Sequence, residues 1–107
     1  MGRGVVGEFE QLVLLAVLRR DGEAYAVTIV EEIRARTRRD ASLASIYVVL
    51  GRLESKGFLT SEVEGAASNR GGRPRRYYSA TPLAIDALRA SREALLSLWD
   101  GLAVLTE

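Results

Sequence analysis

Cysteine and histidine are both missing from the 107 residues. Thiol nucleophiles, disulfides, histidine bases and nearly every transition-metal site built from nitrogen or sulfur ligands go with them. Long apolar runs are missing too: the longest, Leu12–Leu18, has seven residues, against the ~20 that a membrane-spanning helix needs. The start lacks the basic-then-apolar order of a secretory leader, and Val6 stands where a myristoylation signal opening MGRG needs serine or threonine. A cytoplasmic protein without a membrane partner is expected. GRGVVG at residues 2 to 7 spells a dinucleotide fingerprint, but only Met1 precedes it, where the motif needs a β-strand. The acids are scattered, with no convergent pair, so neither an enzyme nor a cofactor or metal site is expected.

What remains is an ordinary soluble composition, 48% apolar and 27% charged, in a chain of single-domain size. Net charge is only +1, but its distribution is uneven. Arg34, Arg36, Arg38 and Arg39 crowd one stretch, Arg70, Arg73, Arg75 and Arg76 another, and no acid lies between Glu64 and Asp86. Lys56 is the one lysine among fifteen basic residues. Arginine's planar fork suits phosphate oxygens and guanine edges better than a lysine point charge does.

Apolar spacing predicts four helices. Gly7 to Arg20 carries Phe9, Leu12, Val13, Leu15, Ala16 and Val17 at helical intervals, and Asp21-Gly22 ends it. A second helix from about Ala24 to Thr37 aligns Tyr25, Ile29 and Ile33. A third runs from the cap residue Ser42 to Lys56 before Gly57, with Leu43, Ile46, Leu50 and Leu53 as its core stripe. Its opposite side carries Ala44, Val48, Gly51 and Ser55, flanked by Ser45, Tyr47 and Arg52. That face is small and almost uncharged, and Gly51 costs about 1 kcal/mol of helix propensity relative to alanine. Close approach to another surface accounts for both, and a DNA major groove fits: small residues let the helix sit deep, Val48 meets thymine methyls, and Ser45 or Arg52 reaches base edges or phosphates.

Beyond Gly57 the period changes. FLTSEVE (58–64) and RRYYSAT (75–81) read as two strands joined by GAASNRGGRP, a hairpin with a long basic tip. Three helices and a hairpin make a winged helix-turn-helix, mainly α with a small β element (α+β). Its third helix enters the major groove and its wing lies on the backbone or minor groove. Residues 1–81 form this unit. From Thr81-Pro82 one long C-terminal helix (82–107) follows, with Ala84, Leu88, Ser91, Leu95, Leu98, Leu102 and Leu105 in alternating steps of four and three. At ~36 Å it outruns the elements available to cover it, which predicts a homodimer matching half-sites ~34 Å apart. The expected dimerisation residues are Leu88, Leu95, Leu98, Trp99, Leu102 and Leu105. The expected DNA-binding residues are Ser42, Ala44, Ser45, Tyr47, Val48, Arg52, Lys56, Arg70, Arg73, Arg75 and Arg76, with double-stranded DNA as partner. The rival reading is a winged-helix protein-interaction module, which has no need of four arginines within seven residues.

GEFEQLVLLAVL, YAVTIVEEI, SLASIYVVLGRLESKGFL and GGRPRRYYSATPLAIDAL together resemble the PadR family of bacterial transcriptional regulators over almost the whole chain. The resemblance implies a dimeric winged-helix repressor of the short subclass, with one C-terminal dimerisation helix. It places Ser45, Tyr47, Arg52, Arg73 and Arg75 near DNA and Tyr78 under the wing. Ala26 departs from a frequent family glycine, and Gly51 from a more usual polar residue. In multidrug-sensing members a tryptophan of the last helix sandwiches planar aromatic ligands at the dimer interface. Trp99 therefore either lines an effector pocket or anchors that interface.

Overall fold

The computed structural model describes residues 6–64 and 74–105. Helix α1 (Glu8–Arg19) starts where the Glu10 carboxylate accepts the Gly7 N–H at 2.9 Å, with Glu8 and Glu10 complementing the first turn and Arg19 the last. Helix α2 (Ala26–Arg36) begins two residues later than its apolar pattern suggests, because Tyr25 is extended as its cap and Ala24 is tied to the hairpin. The Ala24 carbonyl accepts the Tyr78 N–H at 2.8 Å, and Thr28 Oγ1 accepts the Tyr25 N–H at 3.0 Å. Helix α3 (Leu43–Ser55) is capped by Ser42, whose Oγ accepts the Ser45 N–H at 3.1 Å, and Gly57, at φ +83°, turns the chain out of it.

Strands β1 (Leu59–Val63) and β2 (Arg76–Ala80) pair antiparallel, with Ser61 opposite Tyr78. Helix α4 (Pro82–Trp99) follows, with Thr81 as its cap and Pro82 in its first turn. The expected winged helix-turn-helix is the fold found. Its core joins the inner faces of all four helices to the base of the hairpin, and Leu14, Ile29, Ile46, Leu50, Leu53 and Phe58 are fully enclosed.

Three details differ from the expected pattern. In α3 the buried set is Ile46, Val49, Leu50 and Leu53, while Leu43 is 45% exposed. Leu43 and Val49 flank the stripe on opposite sides, each roughly 60° from its centre at 100° per residue, and the core lies on the Val49 side. In α1, Leu14 is buried and Leu15 is exposed. The last helix stops at Trp99, near ~27 Å rather than ~36 Å, because Asp100 and Gly101 (φ +81°) break it before a 3-10 turn, Ala103–Leu105. Leu102 and Leu105 are therefore off the helix that was expected to carry them. The molecule is elongated, 55 × 31 × 21 Å. Among the described residues no helix is long and apolar enough to cross a membrane.

Candidate nucleic-acid interface

Helix α3 presents the smooth face expected of it. Tyr47 and Val48 are 58% and 61% exposed, and Ala44, Ser45, Gly51, Arg52 and Ser55 lie open beside them. An added Cβ at Gly51 would meet nothing within 4 Å, so the glycine relieves no crowding inside the chain. Its place on the open face agrees with a need for close approach from outside. Ser42 is occupied as the cap, its hydroxyl bonded to the Ser45 hydroxyl at 3.1 Å. Ile46, Val49, Leu50 and Leu53 fix the helix from behind, so the exposed side chains ride on a rigid element.

The hairpin stands beside this face. Ser61 donates to Glu54 Oε2 of α3 at 2.8 Å, and Arg76 Nη1 donates to Ser61 Oγ at 2.9 Å, which draws Arg76 onto the α3 side of the sheet. Strand residues alternate between faces, and Arg75 accordingly turns the other way. Its guanidinium lies 4.1 Å from the centroid of the Tyr25 ring, which meets Tyr77 edge-on at 5.5 Å. At the mouth of the hairpin the Arg75 carbonyl accepts the Glu64 N–H at 2.7 Å, and the Arg75 N–H donates to the Glu64 carboxylate at 3.2 Å. Arg75 thus ties the wing base to the start of α2. Tyr78 is buried beneath the hairpin, as expected, and burial raises its phenol pKa. Arg70 and Arg73, the other two expected wing contacts, lie outside the described residues.

Three of the four arginines of the first cluster are paired with acids in space. Arg36 meets Glu32 at 2.7 Å, Arg34 meets Asp40 at 3.4 Å, and Arg39 pairs with Glu8. Glu32 also receives Arg19 and Arg20, at 3.1 and 2.7 Å, and its pKa is lowered first by the Arg20 and Arg36 hydrogen bonds. Lys56 is likewise engaged, 3.0 Å from Glu10 Oε2, with Arg52 at 4.0 Å from the same oxygen. At the α3 end, then, Arg52 is the cation with the looser internal tie.

A second surface lies away from α3. Gln11, Leu15 and Leu18 of α1 face Ile85, Leu88, Leu95, Leu96 and Trp99 of α4 across an open apolar groove of about 490 Å³. Leu95 and Leu98 are 54% and 76% exposed, and Trp99 is half-exposed in the groove wall. Leu88 sits at its inner end against the core. Leu102 is exposed beyond the helix, and the Leu105 side chain lies outside the described residues. Leu15, Leu18 and Leu96 were not expected here. The unbroken run Leu12–Leu18 held the signal, since an α1 with one buried face would interrupt it with polar residues. A neighbouring groove of about 620 Å³ between α1 and α2 shares Leu15 and Leu18, but its polar wall is the Glu32 ion-pair cluster.

Comparison with known proteins agrees with this architecture. A Clostridium difficile R20291 PadR family transcription regulator matches with a TM-score of 0.76 at 22% identity, over 94% of this chain and all of that one. An Eggerthella lenta DSM 2243 PadR family regulator matches at 0.68 and 29% identity, over 94% and 87%. Bordetella bronchiseptica BpsR, whose DNA binding is regulated by 6-hydroxynicotinic acid, matches at 0.55 and 18% identity, over 95% and 80%. No curated protein sequence matches significantly. The model of the transcriptional regulator PadR-like family matches residues 14–89, from the middle of α1 through α3 and the hairpin into α4. With about seven tenths of its length inside that match, and a smooth exposed α3 beside a hairpin, the chain belongs to the PadR-like family of transcriptional regulators.

Proposed function

We propose that this chain is a cytoplasmic homodimeric repressor that binds a palindromic operator. Helix 42–56 lies in the major groove, and the 65–76 wing follows the backbone or minor groove. Residues 1–81 read DNA, and 82–107 pair the two subunits without forming a separate core. Ala44, Ser45, Tyr47 and Val48 face the bases. Arg52, Arg76, Arg70 and Arg73 meet phosphates. Arg75 holds the wing in place from behind. The observation that carries the reading is the exposed face of α3: built mostly of small residues, nearly uncharged and rigidly backed, where a solvent face would carry glutamate and lysine.

The apolar side of α4 supports the dimer, since Leu95, Leu96 and Leu98 are half-exposed or more on one overhanging helix. A planar aromatic effector fits the groove that Trp99 walls, and BpsR offers a parallel for a small-molecule-regulated DNA binder of related fold. The test is fluorescence anisotropy on the DNA upstream of the chain's own gene, against scrambled DNA of equal length, over a salt series. Preference for the upstream DNA is expected, with log affinity falling by about 0.9 per phosphate neutralised for each decade of salt. Flat or absent binding to both DNAs would move the chain to the protein-interaction class.

A further inference from the structure

Glu10 is the only charged residue among those described that is buried, at 7% exposure. A buried carboxylate is tolerated only when its oxygens are well satisfied. Oε1 accepts the Gly7 N–H at 2.9 Å and the Lys56 ammonium at 3.3 Å, while Oε2 accepts Lys56 at 3.0 Å and has Arg52 Nη1 at 4.0 Å. The partners belong to elements far apart in sequence: Glu10 is in the first turn of α1, and Lys56 caps the C-terminus of α3. Immediately after Lys56, Gly57 swings the chain into the hairpin, with Phe58 anchored in the core. One carboxylate therefore grips the joint between the DNA-facing helix and the wing. Lys56 spends its charge inward, on both oxygens. Arg52, half-exposed and farther off, keeps its fork available to solvent.

We infer that Glu10 is a positioning residue for the DNA-reading surface: it fixes the end of α3 through Lys56 and withdraws that lysine from phosphate binding, leaving Arg52 as the DNA-contacting cation there. The inference rests on the DNA-binding reading above. A bridge serving stability alone would change melting and nothing else.

The test is the same anisotropy salt series, on upstream and scrambled DNA, for the wild type, Arg52→Gln, Lys56→Gln and Glu10→Gln, each checked for folding by circular dichroism. Arg52→Gln, which removes one phosphate contact from each of two subunits, is expected to flatten the salt slope by about 1.8. Lys56→Gln should leave the slope unchanged yet lower the preference for upstream DNA about tenfold, because the helix end loosens. Glu10→Gln should steepen the slope by about 1.8 as the released lysine of each subunit finds a phosphate, with a similar loss of preference. The inference is overturned if Lys56→Gln flattens the slope as Arg52→Gln does, or if Lys56→Gln retains full preference. Should Glu10→Gln fail to fold, the other two variants decide. A wild type that shows no salt-dependent binding to either DNA overturns the DNA-binding reading itself.

Discussion

The two halves of α4 put similar side chains to opposite uses. From Pro82 to Leu88 the helix buries Ala84 and Ala87 and rests Leu88 on the core. From Arg92 onward every described residue is exposed, although Leu95, Leu96, Leu98 and Trp99 are large and apolar. The helix thus turns small residues toward its own chain, where space is limited. Four of its large ones, Leu95, Leu96, Leu98 and Trp99, stand where its own chain leaves them half-exposed or nearly so, so the outer half has the composition of an interface and the inner half that of a core.

The sharpest break of that contrast is on the inner side. Phe58→Ala, at a fully enclosed site beside the root of α4, should cost about 3–5 kcal/mol in chemical denaturation. Replacing both Leu95 and Leu98 by glutamate should leave helix content intact yet reduce the sedimenting species to a single chain. Survival of a dimer would place the subunit contact elsewhere. Thr81→Ala removes the oxygen that accepts the Ala84 N–H at 3.3 Å and should cost about 1 kcal/mol. A Leu98→Ala variant, by comparison, should make melting more dependent on protein concentration while barely changing the isolated fold.

The smallest effect is expected in acid. Burial pushes the Glu10 carboxyl pKa up, but the Gly7 N–H and the Lys56 and Arg52 charges outweigh it and leave the group below the ordinary 4.5. A folded pKa below the unfolded one means Glu10 stabilises the fold above about pH 4.5, and that contribution is lost as pH falls through the folded value. Glu10→Gln should remove this part of the acid limb in denaturation measured from pH 7 to pH 3. Glu32, also held low by its arginines, leaves a remainder.

Much of this was legible in the sequence. Ser42, Gly57 and Thr81-Pro82 mark helix ends by local chemistry that tertiary packing did not override, and the outer face of α3 follows from angle alone. The choice between Leu43 and Val49 was not legible, because a helical wheel gives direction but not which flank another element covers. The end of α4 was written in Asp100-Gly101, the same pair type that ends α1 at Asp21-Gly22, yet the apolar spacing ran through it. The ties of Lys56 and Arg75 could not be read at all, since each joins a cation to a partner 46 or 50 positions away.

Helix α1 meets the groove along one side and Glu10 at its start. Leu18, in the groove wall, stands eight residues from Glu10, or ~12 Å along the axis. A tilt of about 5° pivoting at Leu18 would carry Glu10 about 1 Å, twice the spread that ordinary hydrogen-bond lengths allow. The Glu10 contacts therefore hold only while α1 keeps its seat in the core, where Val13, Leu14, Ala16 and Val17 are buried. One helix thus spans both places, with Leu18 in the groove wall and Glu10 at the joint of α3 and the hairpin.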